Sequence, residues 1–167
     1  MKEYNDYIRT TRRWMKDYNT FKATIAGMNT DIEAQQRLLD KAEELAAPIA
    51  QYNGMPKGGG TGLNAVEAAA QDRIRRAEAI RKKILNRDEL QRLINMIDNA
   101  IAVLPQEEQE ILKEHYFKRV SWERIGSRRK YSERWARDKG GKALKKLAFA
   151  IHGTKAQPEQ LTFVFLQ

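Results

Sequence analysis

Cysteine is absent from this chain, and histidine, with two residues, and proline, with four, are scarce. Without cysteine there is no disulfide, no thiolate metal site and no cysteine nucleophile. His115 and His152 lie far apart in the sequence, and no carboxylate pair stands out from the general acidic background. The sequence therefore offers no catalytic or metal-binding constellation, and a non-enzyme without cofactors is expected. No apolar run approaches the roughly 18 residues that span a bilayer, and the opening MKEYNDYIRTTRR lacks the apolar stretch of a signal peptide. A cytoplasmic chain with no membrane partner is expected.

Apolar residues make up 41% of the 167 positions, enough for a core, and charged residues 32%. With so few prolines and abundant Ala, Leu, Glu, Lys, Arg and Gln, helix is predicted nearly throughout, giving an all-α fold class. One abundance is local. Lys118–Leu147 holds twelve basic and three acidic residues, which is the whole net charge of +9; the remainder is neutral. Charge localised in this way points to a polyanion held against one surface.

Tyr4, Tyr7, Thr11, Trp14, Tyr18, Phe21, Ile25 and Met28 recur at alternating steps of three and four, the seam of a helix that packs against another. The pattern continues through Ile32, Leu39, Ala42 and Ala46 until Pro48 opposes it. Gly27, Asn29 and the capping-box spacing of Thr30 and Glu33 allow either a kink or a chain reversal. Five glycines and a proline mark 52–63, YNGMPKGGGTGL, as a linker. As a phosphate loop it fails, because Gly60 stands where the lysine is required. A second seam begins at an N-cap Asn64 and runs through Val66, Ala70, Ile74, Ala77, Ile84, Leu90, Ile94, Ile97, Ile101 and Leu104, with a possible break at 86–89. The simplest packing is a long antiparallel hairpin or coiled coil, which also offers a surface for a homo-oligomer. The organisation predicted is thus 1–51 first helical segment, 52–63 linker, 64–103 second helical segment, 104–153 a compact helical domain and 154–167 an apolar tail packed back on the helices.

Within 104–153 three helices are predicted. The first starts at Pro105 with Ile111, Leu112, Tyr116 and Phe117 as its apolar face; a short one follows Ser121; the last follows the N-cap Ser132. A short turn before the third helix is the layout of a helix-turn-helix. Ile125 points inward, Gly126 permits close approach, Tyr131 covers the turn, and Ala136, Ala143, Leu144 and Leu147 give the last helix its inner stripe. Arg124, Arg128, Arg129, Lys130, Ser132, Glu133, Arg134, Arg137, Asp138 and Lys142 are then left for DNA. The other basic clusters, Arg12 with Arg13 and Arg73 to Lys83, have neighbouring acids and read as solvated faces.

Ser121–Leu147, SWERIGSRRKYSERWARDKGGKALKKL, resembles without a gap the promoter-reading C-terminal domain of bacterial sigma factors. The matching positions include Glu123, Ile125, Gly126, Arg128, Ser132, Arg137, Lys142, Ala143, Leu144, Lys146 and Leu147. The chain as a whole is similar in layout to phage transcriptional regulators of the ArpU/RinA type. That resemblance implies a late-gene activator working with host RNA polymerase in the bacterial cytoplasm. Arg129 and Lys130 replace the usual Leu and Gly before the turn, Lys139 replaces an inward Ile or Val, and Gly140-Gly141 interrupts the last helix. Two other readings stand beside it: a small terminase-type DNA-packaging subunit, whose DNA-binding domain is usually placed first, and a structural helical assembly protein.

Overall fold

The computed structural model describes residues 6–50 and 61–156, and among these there are helices and turns but no strand. The elements are α1 (Tyr7–Ala50), α2 (Thr61–Ala102), α3 (Gln106–Leu112) continued by a π-type turn (Lys113–Phe117), α4 (Trp122–Arg128), α5 (Glu133–His152) and a short 3-10 turn (Gly153–Ala156). The all-α expectation holds. Most of the linker and the strand-like end of the tail, including Tyr4 and the run LTFVFLQ, lie outside the described residues.

Neither expected interruption of the long helices occurs. α1 continues through Gly27–Thr30 as one helix, without reversal: Thr30 donates its hydroxyl to the Ala26 carbonyl at 3.2 Å instead of capping. α2 is likewise continuous through 86–89, because Arg87 reaches Asn29 at 3.0 Å and Asp88 at 2.8 Å, so these polar residues serve lateral contacts. α1 runs two residues past Pro48, whose fixed φ is helical even though its N–H is missing. α2 starts at Thr61, which places Asn64 within the first turn rather than at the cap.

The described residues fall into two compact units, Lys22–Arg92 and the remainder. In the first, α1 and α2 run antiparallel, with Arg87 against Asn29 and Lys83 paired to Asp31, whose carboxyl the lysine holds below its usual range. Ile25, Leu39 and Ile80 are buried here, whereas Val66 and Ile74, expected on the packing seam, are exposed with Leu38, Leu45 and Leu85. Two helices cover only one stripe of each other, and that stripe passes through Ile80.

The second unit joins the ends of both long helices to α3–α5. The boundary expected at 104 therefore does not isolate the C-terminal helices as a separate body. Met15, Ile97, Ile101, Ile111, Leu112, Ile125, Leu144 and Leu147 are fully buried together with Thr11. Burying each of these large side chains contributes on the order of 1.5–3 kcal/mol. The Thr11 hydroxyl donates to the Tyr7 carbonyl at 2.7 Å and so accepts from His152 Nε2 at 3.2 Å. Tyr7 and Trp14 flank the same imidazole. Tyr18 stacks on Phe117 at 4.0 Å and donates to Asp98 at 2.8 Å. Burial, reinforced by that carboxylate, pushes the Tyr18 hydroxyl up to about 12. Backbone is tied as well: Asn19 donates to the Phe117 carbonyl at 2.7 Å, and Arg119 to that of Lys16 at 2.7 Å.

Burial holds His115 and His152 below the usual histidine range. At His115 the hydrogen bond to Val120 opposes the shift, while Lys16 and Arg119 add to it. A depressed histidine binds its proton more weakly folded than unfolded. Its contribution is therefore complete above the unfolded value of about 6.5 and is lost as pH falls through the folded value. Thermal melting between about pH 7.5 and 5 is expected to show a falling midpoint on the acid side, and a flatter profile in the double variant His115→Gln, His152→Gln. A midpoint that rises on acidification would contradict this packing.

Candidate nucleic-acid interface

α4, the turn after it and α5 form a helix-turn-helix, and each end is fixed by a local device. Ser121 caps α4 by accepting from the Arg124 amide at 3.4 Å, and Ser132 caps α5 by accepting from the Trp135 amide at 3.1 Å. Between them, the Lys130 amide donates to the Ser127 carbonyl at 3.1 Å and that of Tyr131 to Gly126 at 2.9 Å. These paired bonds are a Schellman ending, which requires a left-handed residue after the helix. Here that residue is Lys130, at φ 60°. Gly126 completes the turn: a Cβ there would lie 2.8 Å from the Ser132 carbonyl oxygen and 2.9 Å from that of Tyr131. The expectation that a side chain at 126 would force the helices apart is met, with the turn backbone as the obstacle.

α5 is one continuous helix through Gly140-Gly141. The two glycines differ. A Cβ at Gly140 would fall 2.6 Å from Cζ3 of the Trp122 indole, whereas one at Gly141 meets nothing within 4 Å. Trp122 is also stacked by His115, with ring centroids 3.7 Å apart, and His115 Nδ1 donates to the Val120 carbonyl at 3.0 Å. His115 is thus a core-edge residue. Ile111, Ile125 and Ala136 form the centre of this packing, with Val120, Trp122 and Trp135 against it. The inner stripe expected for α5 is buried as expected, at Ala136, Ala143, Leu144 and Leu147. Tyr131 instead stays on the surface, 53% exposed, and stacks on Trp135 at 4.0 Å.

The basic residues divide into two sets. Arg129, only 17% exposed, pairs with Glu114 at 3.2 Å and Glu110 at 3.3 Å, fastening the turn to α3 and its π-type continuation. Of the ten residues expected at the interface it is the one turned inward. Lys139 pairs with Glu107 at 2.9 Å, and that carboxylate raises the lysine further. Its expected inward apolar position is therefore an edge position held by charge. Lys146 pairs with Glu108 at 2.6 Å; Glu108 is buried, and its second oxygen lacks a protein partner. The other set faces outward. Lys118, Arg124, Lys130, Arg134, Lys142 and Lys145 are exposed, and none of them forms an ion pair among the described residues. Arg128 is exposed with its guanidinium 4.0 Å from Glu114. Glu133 and Arg137 pair with each other on the surface of α5, Asp138 is exposed nearby, and the Ser132 hydroxyl is used as the cap. Within Lys22–Arg92, Arg76 pairs with Asp72 at 2.7 Å.

Sequence spacing does not mark Trp122, Trp135 or Gly140 as packing residues. The available signal was the pairing of an unusual helix glycine with a large aromatic one short element earlier.

What this assembly defines is an all-helical protein with a helix-turn-helix whose outer surface is basic. Residues 8–148 match a family described as a protein of unknown function, DUF722, and the chain belongs to that family. The match runs through both compact units and into α5. No curated protein and no solved structure matches the chain. Among the described residues, no helix is long and apolar enough to cross a membrane.

The glycine pair gives opposite expectations. Gly140→Ala must displace the Trp122 indole and is expected to cost about 1–2 kcal/mol after its helix-propensity gain. Gly141→Ala meets open space and should stabilise by roughly 0.5–1 kcal/mol. Urea unfolding of both variants measures this, and equal shifts of the same sign would contradict the indole packing.

Proposed function

We propose that this protein is a sequence-specific DNA-binding transcriptional regulator rather than an enzyme. The observation that carries the reading is the backbone at Lys130. A non-glycine residue in the left-handed region costs about 1–2 kcal/mol relative to glycine's freedom there, yet this position holds a lysine at φ 60° with its side chain exposed. The turn itself requires that backbone, and Arg119 adopts it too, at φ 57°, with its side chain spent on the Lys16 carbonyl; the Lys130 side chain has no such partner among the described residues, which leaves it for a ligand. Its surroundings suit one use: Arg124, Arg128, Arg134 and Lys142 are exposed on the same three segments, and a polyanion is the partner such a set attracts. Lys130, Arg124 and Arg128 would contact phosphates, while Glu133, Arg134, Arg137 and Asp138 at the start of α5 would meet base edges in the major groove.

The resemblance to phage regulators extends the reading to a late-gene activator that works with host RNA polymerase. The apolar residues left exposed on the hairpin, Leu38, Leu45 and Ile74 among them, are where a homo-oligomer would form. Joining two such copies would raise affinity for paired sites through effective concentration.

Lys130→Gly separates fold from function. Glycine relaxes the turn and removes one charge, so stability should rise by roughly 0.5–1 kcal/mol after the entropic cost of glycine. DNA affinity should nevertheless fall, and the slope of log affinity against log salt should shrink by about 0.9 for one lost phosphate contact. Fluorescence anisotropy of the full chain with duplex DNA at several salt concentrations gives both quantities beside a thermal melt. Unchanged affinity and slope in the stabilised variant would remove Lys130 from the interface.

A further inference from the structure

Tyr131 and Trp135 form an aromatic step on the outside of the helix-turn-helix that the packing of the core does not require in full. Their rings stack at 4.0 Å with planes 19° apart. Trp135 leans on the Ile111, Ile125 and Ala136 centre and carries Lys139 over its ring at 6.0 Å. Tyr131 gains no such cover and leaves more than half of its surface in water. An aromatic ring left in this position forgoes burial that the fold elsewhere takes, as at Tyr18 and Tyr116.

Position decides what the step can touch. Residues 131, 135, 138 and 142 follow one another at four, three and four positions, so they form one ridge of α5 and its entry turn. Tyr131, Asp138 and Lys142 on that ridge are exposed, whereas Trp135 sits at its edge against the core that Ala136, Gly140, Ala143 and Leu147 face. In a helix-turn-helix the N-terminal residues of the second helix enter the major groove. The apolar feature of base edges in that groove is the methyl group on C5 of a pyrimidine, carried by thymine and also by 5-methylcytosine. Ridge and step together would present an aromatic ring to that methyl group, with charged residues beyond it for polar edges and phosphates.

Resting on the DNA reading above, we infer that Tyr131 is a specificity-determining residue that recognises a pyrimidine 5-methyl group in the major groove, with Trp135 as the positioning residue behind it. The full-length chain is used to enrich duplexes from a random-sequence pool. Single thymines of the best duplex are then replaced by deoxyuridine, and single cytosines by 5-methylcytosine. One thymine replacement is expected to lower wild-type affinity about fourfold, the value of one buried methyl group. Tyr131→Phe should keep that penalty and Tyr131→Ala should lose it, while circular dichroism shows both folded. A gain on methylating a cytosine that is lost in Tyr131→Ala would support the same contact with 5-methylcytosine as the source. Duplex binding that no pyrimidine methyl group alters overturns the inference and leaves the DNA reading intact. So does an equal penalty in wild type and Tyr131→Ala. Failure to enrich any duplex overturns the DNA reading and this inference with it. The wild-type arm needs no variant, so its result stands whatever happens to the fold of the alanine substitution.

Discussion

The angle between α4 and α5 depends on an absent side chain at Gly126, which lets the turn backbone close against the helix before it. With the Tyr131 and Ser132 carbonyl oxygens within 3 Å of where a Cβ would stand, any larger residue must open the turn. That closure sets the Schellman bonds, forces Lys130 into the left-handed region and starts α5 at the Ser132 cap. The consequences reach the core. Only with the helices this close does the Trp122 indole fall on Gly140, and only then can Arg129 fold back to Glu110 and Glu114. An indole packed on a glycine, a charge clamp and a left-handed lysine are all gathered around one short contact.

The basic excess is thereby sorted by position. Arg129, Lys139 and Lys146 are consumed by carboxylates of α3 and its π-type continuation, so they act in folding. A half-buried pair such as Arg129 with Glu114 is weak evidence of net stability, but removing one partner would strand the other. Apart from Lys118, the exposed residues without such partners lie on α4, the turn and the outer side of α5. Charge in the sequence is therefore a measure of attraction to polyanions only after the internal pairs are set aside.

Much of this was legible in the sequence. Helix content, both serine caps, the inward Ile125 and the stripe Ala136, Ala143, Leu144 and Leu147 follow from periodicity and capping chemistry, which are local. What was not legible depends on contacts between distant segments. Thr30 and Arg87 resembled interruptions because polar residues in a helix look the same whether they break it or reach across to a neighbour. Met15 and Ile80 lie on the packed stripes, whereas Val66 and Ile74 do not, since periodicity gives the spacing of a stripe but not which stripe meets a partner. Arg129 could not be distinguished from Arg128 by residue type. A single position of helix geometry turns one towards Glu114 and leaves the other mostly in water. The joining of the ends of α1 and α2 to α3–α5 was hidden for the same reason, since Thr11 and His152 lie 141 residues apart.

The central claim is that DNA meets the outward side of α4, the turn and α5. Amide chemical-shift perturbation of the isotope-labelled full chain, titrated with an enriched duplex, tests it most directly. The account predicts the largest changes at Arg124, Lys130 to Arg134, Asp138 and Lys142, with the Arg129 guanidinium resonance unmoved. Changes concentrated in residues 22–92, with those positions silent, would contradict it.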